Sequence, residues 1–343
     1  MRLLFATTFG HLPELVGGLQ TTTDELAHAL QRRGIEVAVL CEPLERPASA
    51  IRSDDACGYP VLRARDPIAA LPAVAAALRP DAIVVQTGPG LAKLLVAALD
   101  SRLPTAVYLH NVEHAELGGT LLPDPSILYL ANSRFTAARW RAAAGIDSHV
   151  VLPYVEPDAY RTEITRERIL FINPTLQKGV ELFFRIAAAR PALPFAAVAS
   201  WTLEPIWQRF CVERAAQLGN IEFLTPTRDM RALYARTRLL LMPSLWEESY
   251  GRSVTEAQLS GIPTLASTRG NLIDTVGAGG LTVDLHAPLD DWLVALDRLW
   301  SAAAEGPFSV AARAHANRPD AAPDGIVERF VTLLSGHATA MAA

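Results

Sequence analysis

A chain of 343 residues, half of them hydrophobic and 20% charged, has room for two domains of roughly 150–200 residues and is neither disordered nor fibrous. Its formal net charge of −5 offers no electrostatic footprint for nucleic-acid backbone, and no apolar run reaches membrane-spanning length. The three cysteines, Cys41, Cys57 and Cys211, lack CxxC spacing, so neither a disulfide framework nor a structural zinc site is expected. Residues 1–7 read as a strand and not as a signal peptide, which leaves a cytoplasmic two-domain protein as the expectation.

Short apolar runs alternate with helical periodicity from end to end, the pattern of parallel α/β layers. In the first half strands are predicted at 2–7, 36–41, 82–86, 105–109 and 127–131. Helices at 22–33, 71–78, 90–99 and 136–144 separate or follow them, with Gly34 as the C-cap of the first. The proline- and charge-bearing segment 151–167 reads as a linker. Strands then resume at 169–172, 195–199, 221–223, 239–242 and 263–266. The helices of this half are 180–189, 206–217, 230–237, 253–260 and 288–303. An Ala/Pro-rich stretch, 302–324, precedes a final apolar helix at 326–334. The expected domains are 1–160 and 161–320, with 321–343 a terminal helix.

Parallel sheets bind ligands beyond the carboxyl ends of their strands, where loops and helix N-termini converge. The segments following the predicted strands are the polar, glycine-bearing ones: 9–19 with Gly17-Gly18, 88–90, 110–114, 132–133, 173–178, 200–201, 225–228 and 243–248. Two such sheets facing each other would gather these segments on one interdomain cleft.

The most informative stretch runs Pro243-Ser-Leu-Trp-Glu-Glu-Ser-Tyr-Gly-Arg-Ser-Val-Thr-Glu256. The amides from Tyr250 to Ser253, together with the dipole of the helix starting there, form an anion site suited to phosphate. Glu256, in the first turn, is placed to accept hydrogen bonds from a diol such as a ribose. Glu248 is placed to hold hydroxyls of whatever the phosphate carries. For two arbitrary glutamates the plainer reading is a self-capping Glu256 and a solvated Glu248.

Glu248 and Glu256 form E-x7-E in a segment that resembles the P-S-x-x-E-G-F-G-x-x-x-x-E-A signature of retaining GT-B glycosyltransferases, sequence family four. Gly17-Gly18 with the helix that ends at Gly34 resembles that family's first loop and helix. Residues 131–136 resemble its strand-end serine motif, and Gln177-Lys178-Gly179 its lysine-glycine loop. Residues 261–267 resemble the glycine-proline strand after the signature helix. The resemblance spans nearly the whole chain in the right order, and the glycosyltransferases of actinomycete oligosaccharide antibiotics are among the members it suggests.

The resemblance implies an α/β GT-B fold of two Rossmann-like parallel-sheet domains and a final helix crossing back to the first. It implies transfer of a sugar, with retention, from a nucleoside-diphosphate sugar (UDP being the commonest) to a small-molecule or oligosaccharide acceptor. Lys178 would then meet the charge growing on the leaving diphosphate, the amides around Gly251 the distal phosphate, and Gly17-Gly18 the same group from the other domain. Glu256 would hold the ribose, Glu248 the donor sugar, and His110 would also contact that sugar. Only Lys93 and Lys178 among the 31 basic residues are lysines, so a compact ammonium at 178 carries meaning in an arginine-rich chain.

Two positions depart from the family pattern. Asn173 stands where the family usually has a second cation on the pyrophosphate, and Ser249 where it usually has glycine. Arg252, inside the signature loop, is the candidate replacement cation. The Asn173 departure also keeps open a non-catalytic sugar-nucleotide-binding partner of the same fold.

Other patterns are weaker. His110-Asn-Val-Glu-His114 reads H-x-x-E-H, but the first histidine tops a β-rich run, not the helix a zinc protease needs. Gly88-Pro-Gly90 follows a later strand than a dinucleotide fingerprint does, with Lys93 where its last glycine belongs, and no Walker A run occurs. No Asp-x-Asp occurs either, which fits transfer without a metal or other cofactor. The tryptophans read as packing, with Trp201 alone just past a strand end. The basic residues of 60–80 form no dense cluster, so an acceptor free of the membrane is expected.

Overall fold

The computed structural model describes residues 1–45, 49–199, 203–302 and 306–342. It separates into two compact units, Met1–Tyr154 with Pro323–Ala343, and Val155–Ala322. Among the described residues, no helix is long and apolar enough to cross a membrane.

The first unit runs β1 (Arg2–Ala6), α1 (Gly18–Arg32), β2 (Glu36–Cys41), β3 (Ile51–Asp54), β4 (Val61–Ala64) and α2 (Pro67–Leu78). It continues with β5 (Ala82–Gln86), α3 (Leu91–Asp100), β6 (Thr105–Leu109), β7 (Ile127–Ala131), α4 (Arg134–Ala144) and β8 (His149–Val150). The sheet order is β3-β4-β2-β1-β5-β6-β7-β8. All pairings are parallel except β3 with β4. Strands β5, β6 and β7 are buried along their whole length, as continuous apolar runs covered on both faces must be. Local chemistry sets the helix ends. Asp66 caps α2 by accepting from the amides of Ile68 and Ala69, both at 3.0 Å. Ser133 caps α4 through the Thr136 amide at 3.0 Å, and Gly145 closes it with a positive φ. Each cap contributes about 1 kcal/mol.

The second unit runs α5 (Pro157–Tyr160), β9 (Arg168–Ile172), α6 (Val180–Ala189), β10 (Phe195–Val198), α7 (Pro205–Leu218), β11 (Ile221–Leu224) and α8 (Met230–Ala235). Then come β12 (Thr237–Met242), α9 (Arg252–Leu259), β13 (Thr264–Ser267), α10 (Leu272–Val276), β14 (Gly280–Val283), α11 (Leu289–Ser301) and α12 (Pro307–Ala316). Its sheet, ordered β11-β10-β9-β12-β13-β14, is parallel throughout. Phe171 stacks on Phe183 at 4.5 Å beneath α6, and a fully buried Trp292 anchors α11 in the same core.

The last helix, α13 (Pro323–Ala342), belongs to the first unit. Phe330 stacks on Phe5 with ring centroids 6.0 Å apart, and Arg329 Nε donates to the carbonyl of Val150 at 2.7 Å. The division between units falls at Tyr154/Val155, earlier than the 160/161 expected from composition. Tyr154 takes a 2.8 Å hydrogen bond from Arg32 on α1, whereas Val155 and Tyr160 pack in the second unit's core.

Candidate functional site

Strand order locates the crevice in each unit. In the first sheet chain order reverses at β1, which lies between β2 and β5; in the second it reverses at β9, between β10 and β12. At such a switch point the loops leave in opposite directions and open a ligand crevice at the strands' carboxyl ends. The loops after β9 and β12 carry Asn173, Lys178, Glu248, Tyr250 and Gly251. The loop after β1 carries Gly17-Gly18.

In the second unit the two loops are stitched together. The amides of Leu245 and Trp246 both donate to the carbonyl of Gln177, at 2.9 and 3.0 Å. Gly179 caps α6 with φ +82, and a Cβ there would overlap the carbonyl of Pro243. From below, Ser267 Oγ donates to the Ser244 carbonyl at 2.7 Å and the Asn271 amide to the Glu248 carbonyl at 2.7 Å. Thr275 Oγ1 bonds the carbonyl of Tyr250.

Across this platform Lys178 Nζ meets Glu248 Oε1 at 2.5 Å, with both side chains largely buried. Ser244 Oγ donates to the same carboxylate oxygen at 2.8 Å. Gly251 is the N-cap of α9 with φ +88, a conformation that favours glycine. The Val254 amide already donates to the Gly251 carbonyl at 3.0 Å, and the amides before it are those that have no acceptor within a helix.

Arg252 and Glu256 form a second pair on α9, with Nε to Oε1 at 2.8 Å. Arg252 also donates to Tyr160 Oη at 3.0 Å, and Tyr234 Oη donates to Glu256 Oε2 at 2.8 Å. Glu256 therefore has one oxygen on a guanidinium and the other on a phenol, which fixes its rotamer. The sequence holds no sign of the Tyr160–Arg252 bond or of Tyr234, because both tyrosines lie on other helices.

Asn173 is largely buried with φ +60. Its amide donates to the Val198 carbonyl at 2.8 Å and its carbonyl accepts from Thr175 at 2.7 Å. Asparagine is among the few residues that tolerate this left-handed conformation, a reason for its presence that owes nothing to phosphate. Trp201 lies outside the described residues.

In the first unit α1 begins at Gly18, not at 22, so Gly17-Gly18 is the helix N-terminus itself and the Thr21 amide donates to the Gly17 carbonyl at 2.9 Å. Gly17 is extended, with φ −169. A side chain on it would run into Gln20, whose Nε2 holds the Gly10 carbonyl at 3.0 Å. The neighbouring loop after β5 is tied in through Thr8 Oγ1, which accepts from the Gly90 amide at 2.9 Å.

His110 directly follows β6, and His114 opens a one-turn 3-10 helix at His114–Leu117, so the two histidines share no helix. The His110 amide donates to Thr87 Oγ1 at 2.9 Å and its ring lies 4.1 Å from that of Tyr108. Its Nε2 has no hydrogen-bond partner among the described residues. A buried ring nitrogen left unpaired is costly unless a ligand or water completes it. Burial alone lowers its pKa from 6.5 to about 3, so the folded state holds a neutral imidazole. The unfolded chain binds a proton here below its ordinary value and the folded chain does not, so stability falls as pH drops from 6.5 toward about 3. That loss reaches up to about 1.4 kcal/mol per pH unit. In urea titrations at about pH 6.5 and 4.5, His110→Gln should lose less stability over this window than the parent chain.

The two units have the architecture of GT-B proteins, and comparison with known proteins bears this out. Residues 16–159 match the family model Glycosyltransferase Family 4, and residues 166–302 match Glycosyl transferases group 1. Between them these matches take in most of both units, and the chain belongs to the glycosyltransferases of the GT-B fold. A glycosyltransferase structure from Rickettsia africae superposes with TM-score 0.76 at 13% identity, covering 98% of both chains. The HepE protein of Anabaena in complex with UDP-glucose superposes with TM-score 0.76 at 17% identity, covering 98% of this chain and 100% of that one. AviGT4, a glycosyltransferase involved in avilamycin A biosynthesis, gives TM-score 0.67 at 18% identity with 98% of each chain covered. At these identities the likeness is one of fold.

Curated relatives match over shorter stretches. O-antigen chain mannosyltransferase B of Escherichia coli is 35% identical over 86 residues, 24% of this chain and 22% of that protein. The D-inositol 3-phosphate glycosyltransferase of Salinispora arenicola is 38% identical over 95 residues, 26% of this chain and 21% of that protein. The chain thus spans about a fifth of the length of these relatives.

Proposed function

We propose that this protein transfers a sugar from a nucleoside-diphosphate sugar, UDP first among the carriers, to a hydroxyl of an acceptor with retention of anomeric configuration. The observation that carries this reading is the Lys178–Glu248 pair held beside the glycine-led N-terminus of α9 at the β9/β12 switch point. A cation, a carboxylate and a row of helix amides are the groups a sugar diphosphate needs.

Lys178 and the α9 amides would take up the charge that develops on the departing β-phosphate, where stabilisation lowers the barrier most. An ammonium has three N–H donors, so Lys178 can keep Glu248 while it reaches an oxyanion. Glu248 would hold hydroxyls of the donor sugar, Glu256 the ribose, and the neutral His110 would hydrogen-bond the sugar through Nε2. Gly17-Gly18 would present the α1 amides to the distal phosphate, and Arg252 would lend a second cation in place of the one absent at Asn173. In a front-face displacement the departing phosphate oxygen accepts the acceptor's proton, with no metal taking part. For the acceptor we propose a small molecule or oligosaccharide of the kind decorated in actinomycete antibiotic pathways, a reading that the alanine- and arginine-rich composition permits.

A thermal-shift panel of UDP, GDP, ADP and their sugars tests binding, because a ligand of the folded state alone raises Tm. Slow hydrolysis of the sugar nucleotide that raises Tm most, abolished in a folded Glu248→Ala variant, is the expected result. Asn173 supports a second reading, a non-catalytic binder of sugar nucleotides. That reading requires the same Tm shift with no hydrolysis and no transfer.

A further inference from the structure

A second constellation of reactive side chains lies in the first unit, outside every group used so far. His11 sits in the loop after β1, Asp24 on α1, and Cys57 in the turn between β3 and β4. One donor atom from each lies within 4.8 Å of the other two. Tyr59 Oη stands among them, 2.8 Å from His11 Nε2 and donating to Asp24 Oδ1 at 2.7 Å. Forty-six residues separate His11 from Cys57 in the sequence, so no spacing rule reveals them as a set.

We propose that His11 Nε2, Asp24 Oδ1, Cys57 Sγ and Tyr59 Oη form a binding site for one divalent transition-metal ion, zinc first. The donor set decides the class of metal. A thiolate, an imidazole and two oxygens suit a borderline ion in tetrahedral coordination and disfavour magnesium or calcium, which take oxygen alone. The enclosure supports it as well, since His11 and Tyr59 are each 2% exposed and therefore fixed in place before any ion arrives. Around the cluster, His28 Nε2 lies 3.8 Å from Asp24 Oδ1 with its ring edge-on to Tyr59.

Arg63 on β4 faces the cluster from the sheet, its guanidinium donating to the carbonyls of His11 and Leu12 at 3.2 and 2.6 Å. Its charge is partly countered by Asp54 at 2.9 Å and Glu14 at 3.4 Å; what still reaches His11 opposes a dication and must be outweighed by the carboxylate of Asp24 and the thiolate of Cys57. On binding, the ion displaces the protons of the thiol and the phenol and takes the place of the hydrogen bonds that join the four groups. It would clamp the β1 loop, α1 and the β3–β4 turn together. His11 lies in the loop that ends in Gly17-Gly18 and Asp24 on the helix that follows, so an ion here would stiffen that glycine pair from both sides without taking part in the sugar chemistry.

The test uses the full chain without a histidine tag, stripped with chelator and then titrated with Zn2+ and Co2+. One ion per chain is expected, with the intense near-ultraviolet absorption of a thiolate–cobalt bond. The ion should also shield Cys57 from alkylation, a readout that needs no variant, since Cys41 and Cys211 are buried and Cys57 is half-exposed. Cys57→Ser and Asp24→Asn should each weaken binding at least about tenfold, with chelator-treated Tm values showing that both variants fold. No bound ion, or an ion held equally well by both variants, or alkylation of Cys57 at the same rate with and without metal, overturns the proposal. The four side chains are then a hydrogen-bonded polar cluster and nothing more.

Discussion

Lys178→Ala is expected to lower kcat by about a hundred- to a thousandfold, the usual effect of removing one preorganised charge from the leaving-group site. KM for the donor should change less, because the charge this ammonium meets grows mainly in the transition state. The structure adds a complication. Removing the ammonium leaves the Glu248 carboxylate, with its side chain 10% exposed, in contact with Ser244 alone among the partners described above. An enclosed carboxylate stripped of its cation costs about 3–5 kcal/mol, so a displaced loop contributes part of the loss. Lys178→Met, which keeps the apolar stem, and the double variant Lys178→Met/Glu248→Gln separate the two effects. The double variant should regain most of the stability and none of the turnover. Arg252→Ala should cost less in kcat than Lys178→Ala. An Arg252→Ala enzyme with unchanged kcat would show that Asn173 has no replacement cation.

How legible these groups are in the sequence depends on how far apart their partners lie. The interior strands and the motif loops can be read directly, since β5, β6 and β7 are unbroken apolar runs and the Glu248–Glu256 segment is local. The edge of the first sheet cannot be. Strand β3 reads Ile-Arg-Ser-Asp and is mostly exposed, so it carries neither an apolar run nor clean alternation. Helix α12 lies in the stretch that shows no strong periodicity because it packs through small residues. A Cβ on Gly279 would touch Ala312 Cα, and Ser309 Oγ donates to the Gly261 carbonyl at 2.5 Å. The helix predicted at 230–237 stops at Ala235, and Thr237 joins β12 while its hydroxyl still bonds the Leu233 carbonyl at 2.7 Å. Beyond the elements, the pairings themselves are long-range. Lys178 and Glu248 are 70 residues apart, and only the order of the strands brings their loops side by side.

Gly179→Ala should be severely damaging to the second unit, costing about 3–5 kcal/mol, with turnover falling at least as far as in Lys178→Ala. Two effects add. At φ +82 any Cβ meets the intrinsic penalty of the left-handed region, about 1 kcal/mol. The remainder comes from the Pro243 carbonyl, which the new methyl would overlap. The obstructing carbonyl is backbone and a methyl has no alternative rotamer, so the loops after β9 and β12 must separate. That separation breaks the bonds from Leu245 and Trp246 to Gln177 and moves Lys178 relative to Glu248. Gly34 supplies the control, because it has φ +74 with nothing within 4 Å of a built Cβ. Gly34→Ala carries the conformational penalty alone and should cost about 1 kcal/mol without touching kcat. Urea unfolding and initial rates on the two variants give the comparison. Equal destabilisation in both would mean that the loops yield freely, and the platform under Lys178 and Glu248 would then be far softer than its hydrogen bonds imply.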